Sequence, residues 1–355
     1  MIWKGNVIRR FLDLLQRKLY LPYGGTMKIV KKIAKILGII VAVIVLIFIV
    51  GAIIQKICCN YEKNKIEDSY GKAVEVFGNN MQVEIIGDGE TVIILLAGAA
   101  ESSPILLYRP LASYLSKNYT VVTVEYFGYG LSDSTVRERS VENVVEELHE
   151  VLSKLGYEEY ILMPHSYSGI TSLYYVNQYS DEVKALVGID STVPAQNDYY
   201  DFASANITQG NIFKFLNNTG LIRLVSKIAP NILINDVNGY EYSDEDYKLF
   251  RTIYLNNYYT TNMMEELKLS TENSNTVYDM VIPDTIPTLF FLSSENAKTF
   301  ESIGAPDNTW YDIHDDIIVD KKVGQIIMLD GGHYLQCSHP SDIAELFNDW
   351  YQGLQ

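Results

Sequence analysis

The sequence predicts an α/β protein: an eight-stranded, mostly parallel sheet flanked by helices, interrupted by one helical insertion and preceded by a single transmembrane helix. Three observations carry this. From Tyr70 onward, short β-branched or aliphatic runs alternate with longer stretches of helical periodicity, the pattern of a parallel sheet with crossover helices. That rhythm breaks once, over residues 191–287. Ahead of it all, Ile36 to Ile54 forms a 19-residue run, ILGIIVAVIVLIFIVGAII, without a charged side chain.

At 1.5 Å per residue that run spans roughly 28 Å, enough to cross a bilayer as an uncleaved anchor. It exceeds the usual core of a signal peptide, and no small-x-small cleavage site follows. Lys28, Lys31, Lys32 and Lys35 precede it, whereas Lys56, Lys63 and Lys65 behind it are mixed with Glu62, Glu67 and Asp68. The positive-inside rule therefore puts residues 1–35 in the cytoplasm and the large domain outside, in a single-pass membrane protein with a linker over 55–69. Residues 1–26 admit two readings. VIRRFLDLLQRKL is a basic amphipathic piece suited to an anionic membrane surface. Alternatively, translation starts at Met27, since Tyr23 to Thr26 back-translates to a purine-rich ribosome-binding site.

The chain of 355 residues is 48% hydrophobic, so a sizeable core can form. Its net charge of −16 is uneven: residues 1–60 hold ten Lys/Arg against one acid, and the remainder holds 18 basic against 43 acidic side chains. An acidic body of this kind excludes nucleic acid as a partner, because it cannot neutralise a run of phosphates. Cys58, Cys59 and Cys337 are odd in number and without metal-ligand spacing, so neither a disulfide framework nor a metal site is expected.

The strands are expected at 73–77 and 82–86 around the turn Gly78-Asn79-Asn80, then at 92–96, 120–125, 160–163, 185–189, 288–292 and 325–329. Helices are expected at 104–116, 141–155, 168–178 and 340–351, the last opening on a proline. The core then comprises residues 70–190 and 288–355. Residues 191–287, tyrosine-rich and too long for a crossover, read as an inserted cap. Its Tyr199, Tyr200, Tyr254, Tyr258 and Tyr259 are candidates for lining an amphipathic pocket.

Ser166, in MPHSYSGI, lies at a strand-to-helix junction, where a tight turn can raise a side chain above the carboxyl end of a strand. A serine hydroxyl needs a base within hydrogen-bonding distance to act as a nucleophile. Of five histidines, four have ordinary readings: His149 on a charged helix, His165 pointing behind the turn, His314 among acids, and His339 opening the last helix. His333 differs, because LDGGHYL follows the last strand and its glycines let the backbone present an imidazole over the sheet. A carboxylate must fix the tautomer of that base. Glu295, in FLSSENAK, and Asp190, ending the strand at 185–189, both qualify; Glu295 is favoured because a long insertion normally leaves before the acid-bearing strand. An oxyanion needs two donors, for which the amides of Tyr167 and Ala99 are the candidates.

These segments resemble the α/β-hydrolase superfamily from about Tyr70 to the C-terminus. LLAG stands for the oxyanion loop, VVTVEYFGYGLSD for the loop after the fourth strand, MPHSYSG for the nucleophile elbow, and LDGGHYLQCSHP for the histidine loop. The likeness is to capped serine-dependent esterases, lipases and proline-iminopeptidase-like enzymes. It implies a triad of Ser166, Glu295 and His333 with the amides of Ala99 and Tyr167 as the oxyanion hole. The chain departs from the pattern at Ala97, where histidine is common, at Pro164 and Ser168, which replace the elbow glycines, and at Asn296, where many members carry the acid. Serine at the elbow disfavours dehalogenase and epoxide hydrolase chemistry, which related families perform through a carboxylate nucleophile.

The expected activity is cleavage of a carboxylic ester, or less readily an amide, from a small-molecule or lipid substrate, with no metal or organic cofactor. An acyltransferase would use the same triad, and a non-catalytic binding protein would share the scaffold.

Overall fold

The computed structural model describes residues 23–66, 70–229, 233 and 237–354; the amphipathic piece at residues 7–19 lies outside them. The chain divides after Ile54 into two units. A single helix, α1 (Tyr23–Ile66), contains the apolar run, and an 18-residue window within Met27–Lys63 has a mean hydropathy of 3.4 and no buried residue. Helical structure continues through residues 55–66, where the sequence suggested a linker.

The eight expected strands form one sheet: β1 (Lys72–Val76), β2 (Asn79–Ile86), β3 (Val92–Leu96), β4 (Thr120–Glu125), β5 (Tyr160–Pro164), β6 (Val183–Ile189), β7 (Thr288–Ser293) and β8 (Gly324–Leu329), in the order β1-β2-β4-β3-β5-β6-β7-β8. Only the pairs β1/β2 and β2/β4 are antiparallel; β3 to β8 run parallel. The central strands are buried along their whole length, which is why they read as continuous apolar runs rather than alternating ones. The first hairpin turns one residue earlier than expected. Phe77 (φ 48°) and Gly78 (φ 82°) make the two-residue loop, and Asn79 and Asn80 already pair with Val76 and Glu75.

Crossover helices cover both faces. On one side α3 (Val141–Leu155) and α4 (Ser168–Gln178) bury Val144, Leu148, Leu152, Ile170 and Leu173 against Ile94, Val122 and Leu162. On the other, α2 (Pro104–Leu115) and the C-terminal helix Pro340–Gly353 bury Leu106, Leu111, Ile343 and Phe347 against Ile93, Val121 and Ile161. Ser140 opens α3 by accepting from Asn143 N, and Gly156 closes it in a left-handed conformation.

Between β6 and β7 lie a 3₁₀ turn (Pro194–Asp198) and four helices: α5 (Phe202–Asn218), α6 (Leu221–Ile228), α7 (Asp244–Asn257) and α8 (Thr261–Thr276). Asp201, Ser243 and Thr260 cap α5, α7 and α8, with a reciprocal capping box between Ser243 and Asp246. Three short helices not anticipated from the sequence follow: α9 (Ser294–Ser302), α10 (Thr309–Asp315) and α11 (Leu335–Ser338), before α12 (Pro340–Gly353).

Candidate active site

Neighbouring strands β5, β6, β7 and β8 bring four loops to one edge of the sheet, and each carries a polar residue there: Ser166, Asp190, Asn296 and His333. At about 4.8 Å per strand the ends of β5 and β8 stand roughly 14 Å apart, so the histidine loop must reach back over two strands. It does: His333 Nε2 lies 2.8 Å from Ser166 Oγ.

Ser166 has a left-handed backbone (φ 51°), an uncommon state for a residue with a β-carbon, stored here at the junction of β5 and α4. Its amide donates to Ile189 O, and its carbonyl accepts from Thr192 N (2.7 Å) and Gly169 N (2.9 Å), which hold the turn. The substitutions for the usual glycines are accommodated locally. Ser168 Oγ donates to Ala97 O and sits 3.1 Å from Tyr126 OH, fastening the start of α4 to the ends of β3 and β4. The glycine that the turn requires is Gly169: a β-carbon there would lie 2.2 Å from Thr192 O.

The acid on His333 is Asp190, not Glu295. Asp190 Oδ2 accepts from His333 Nδ1 at 2.7 Å. The same carboxylate is fully buried and accepts from Ser293 N (2.9 Å), Trp310 Nε1 (3.1 Å) and Asn296 Nδ2, so both oxygens face only donors. Glu295 sits in the first turn of α9 with its carboxylate beside Gly332. Asn296 occupies the inward position of that turn, and its amide braces Asp190 while approaching His333 Nδ1 at 3.3 Å.

Ala99 lines the cavity beside Ser166, and the amide of Tyr167 directly follows it; among the described residues neither amide has a hydrogen-bond partner. The loop before them can approach because Gly98 has no side chain, a β-carbon there lying 2.9 Å from Ser166 Cβ. Its far end is tethered by Ala100 N, which donates to Tyr129 OH (3.0 Å), and Tyr129 in turn donates to Glu266 of α8. Tyr129 belongs to the EYFGYGLSD loop. The base of that loop is Glu125, a buried carboxylate accepting from Tyr70 OH, Leu131 N and Ile105 N; burial pushes its pKa up to about 7.

His165 departs from expectation. Rather than pointing behind the turn it lines the cavity, with Nδ1 2.9 Å from Glu101 Oε1 and Nε2 3.0 Å from the carbonyl of His333. Both partners of this Glu101–His165 pair are buried, and the pair supports the histidine loop from below. Its side-chain direction had no signal in the sequence. The other histidines are structural. His149 stacks on Tyr179, His339 bonds to Asp330 O and Asp342, and His314 lies between Trp310 O and Ser191 O, where burial lowers its pKa.

The cavity over Ser166 measures about 330 Å³, the lower end of the range for small-molecule sites. Gln196, Tyr200, Phe202 and Asn206 of the insertion form part of its wall, opposite Phe300, Trp310 and Tyr334. Of the five tyrosines expected there only Tyr200 lines it. Tyr254, Tyr258 and Tyr259 instead pack on one another and on Phe213, and Tyr199 packs against Phe300, because stacked rings bury more area than a pocket rim would. A larger cleft of about 710 Å³ at Tyr61, Lys65, Arg109 and Lys248 contains no nucleophile–base pair. Cys337 is buried, with its thiol pushed up to about 12 by desolvation, which suits packing rather than reaction. No group of three or more metal-ligating side chains occurs among the described residues.

A family model described as alpha/beta hydrolase fold matches residues 91–229, the stretch from β3 through the elbow into the insertion. The chain has an α/β-hydrolase fold. It is 26% identical over 298 residues to the uncharacterized protein YbdG of Bacillus subtilis, covering 80% of this chain and 90% of that one. A shorter match, 24% over 140 residues, is to the 2-(acetamidomethylene)succinate hydrolase of Mesorhizobium japonicum, over 39% of this chain and 49% of that protein. Among solved structures, the epoxide hydrolase VrEH1 of Vigna radiata superposes with a TM-score of 0.59 at 16% identity, over 79% of this chain and 97% of its own. At such identity the α/β-hydrolase likeness extends to the fold alone.

Proposed function

We propose that the protein is a membrane-anchored serine hydrolase that cleaves a carboxylic ester, less readily an amide, through a covalent acyl-enzyme. The observation that carries this reading is the unbroken line Ser166 Oγ, His333 Nε2, His333 Nδ1, Asp190 Oδ2, with links of 2.8 and 2.7 Å. Only a proton on Nδ1 satisfies the buried carboxylate, which leaves Nε2 as the acceptor for the serine proton. His333 takes that proton as Ser166 Oγ bonds to the substrate carbonyl carbon. The resulting oxyanion accepts from the amides of Ala99 and Tyr167, and the imidazolium returns its proton to the departing alkoxide. Water, deprotonated by the same imidazole, then releases the acid. Epoxide hydrolase chemistry of the kind named for the structural neighbour needs a carboxylate where this chain has Ser166.

The insertion, residues 191–287, acts as the cap over residues 70–190 and 288–355, and Gln196, Tyr200, Phe202 and Asn206 are its contribution to substrate selection. The anchor is residues 36–54, with residues 1–35 cytoplasmic; the length and hydropathy of α1 and its preceding lysines support this. Incubation with a fluorophosphonate probe tests the chemistry: wild type labels and Ser166→Ala does not. A folded wild type that resists the probe would overturn the reading. Retention of the full chain in the membrane fraction after alkaline washing tests the anchor.

A further inference from the structure

The outward face of α6 carries Leu224, Val225 and Ile228, which are 57%, 43% and 81% exposed. Their i, i+1, i+4 spacing makes one continuous apolar strip, while Ile222, Arg223 and Ser226 on the other side are buried. Ile212 of the preceding helix, 55% exposed, adds to the apolar outer surface, and Lys227 beside the strip is exposed.

What covers this strip follows from how residues 55–66 are held. Gln55 is buried: its Nε2 donates to Leu255 O (2.9 Å) and Asn217 Oδ1 (3.4 Å), and its Oε1 accepts from Arg223 Nε (2.6 Å). Arg223 then forks onto Glu62, Nη1 to Oε1 at 2.6 Å and Nη2 to Oε2 at 2.8 Å, with Asn256 Nδ2 completing the carboxylate at 3.2 Å. Residues 55–62 are thus bound to α5, α6 and α7, through a bidentate, charge-assisted pair at Arg223 and single hydrogen bonds elsewhere. Gln55 is also the residue that follows the apolar run. Where that run crosses hydrocarbon, Gln55 marks the level at which the chain leaves it, and Arg223 is bonded at that level. Leu224 and Val225 come next in sequence, and Ile228 is at most about 7.5 Å further along the helix. The polar layer on each side of a bilayer is roughly 5–8 Å deep, so the strip falls within it.

We propose that Leu224, Val225 and Ile228 rest in the interfacial layer of the lipid bilayer that holds the anchor, with Lys227 toward anionic headgroups. The insertion is then docked on lipid, and its substrates can enter from that phase. This rests on the anchor reading above. A helix with an apolar strip and a flanking cation is the composition that lies in an interface rather than in water.

The test uses the full chain reconstituted in vesicles of phosphatidylcholine and phosphatidylglycerol carrying an alkyne tag on the acyl chain. The photoreactive residue p-benzoylphenylalanine replaces Leu224 or Ile228, and Val136, fully exposed on the catalytic core, serves as control. After irradiation, lipid adducts at 224 and 228 should exceed those at 136 at least tenfold. Equal yields in protein that floats with the vesicles after an alkaline wash overturn the docking while leaving the anchor intact, as do adducts to a second copy of the chain in place of lipid. Protein that does not float overturns the anchor reading and the docking with it.

Discussion

Replacing Asp190 by asparagine changes one atom and should cost three to four orders of magnitude in turnover. All four groups around this carboxylate are donors: Ser293 N and Trp310 Nε1 on Oδ1, Asn296 Nδ2 and His333 Nδ1 on Oδ2. An amide has one accepting end. If its oxygen faces Ser293 and Trp310, its NH₂ meets His333, and Nδ1 must then accept, which moves the imidazole proton to Nε2 and points it at Ser166 Oγ. The reverse orientation is worse, because Ser293 N and Trp310 Nε1 can only donate, whereas Asn296 can rotate its amide and His333 can change tautomer. His333 in the first arrangement cannot take the serine proton. Loss of the orienting acid in a Ser-His-Asp site is worth about 10⁴ in kcat, and each tenfold is about 1.4 kcal/mol, so the barrier should rise by about 4–5.5 kcal/mol. Turnover of a short-chain p-nitrophenyl ester measures this, with near-ultraviolet circular dichroism to verify folding. Glu295→Gln should stay within about twofold of wild type, its carboxylate being beside Gly332 and off His333. Folded Asp190→Asn retaining more than a tenth of wild-type activity, or Glu295→Gln losing most of it, would refute the reasoning.

Glu125 should make stability fall as pH rises. Its pKa is about 7 in the folded chain against 4.5 for an ordinary glutamate, so the folded state holds the proton more tightly; the penalty is absent below pH 4.5 and complete above 7, at about 3 kcal/mol. Denaturant titrations at several pH values should show Glu125→Gln with a flatter profile between 4.5 and 7, and an unchanged slope would assign the pH dependence elsewhere. Gly169→Ala sets a β-carbon against Thr192 O and should lower the unfolding free energy by about 1–3 kcal/mol, readable in urea melts, with a parallel loss of probe labelling because Thr192 N holds Ser166 O. Ser166→Ala, by contrast, should abolish labelling yet leave those melts within about 1 kcal/mol of wild type, since it keeps the β-carbon on the same left-handed backbone and removes only the Oγ bonded to His333.

The sheet was legible almost to the residue because buried parallel strands announce themselves as apolar runs: Val92–Leu96 and Thr120–Glu125 are found where they were expected. The meeting of Ser166 and His333 at one edge was legible for a related reason, since both stand just past strand ends, which the pattern reveals. The acid was not. Glu295 and Asp190 both follow strands, and the choice between them turns on which residue of the first turn of α9 points inward. It is Asn296, whose amide is only useful if the charge comes from the neighbouring strand. An asparagine at 296 is a partner for a carboxylate, and that favours Asp190. The Glu101–His165 pair lay beyond any such reasoning, because a side chain in a strained turn can leave in either direction. Composition does not place the insertion's tyrosines, because a residue type suited to pockets is equally suited to stacking.

Asp190 immediately follows β6, and the very next peptide starts the insertion. The carboxylate on His333 Nδ1 and the root of the insertion are thus neighbours on the same backbone, where an acid on β7 would have kept them apart. His314 bonds to Ser191 O while Trp310, one turn away, holds Asp190 itself, so α10 clamps both sides of that joint. A displacement of the insertion at its origin therefore pulls directly on the orientation of His333, which under the proposed function would couple substrate arrival to proton transfer without any longer route.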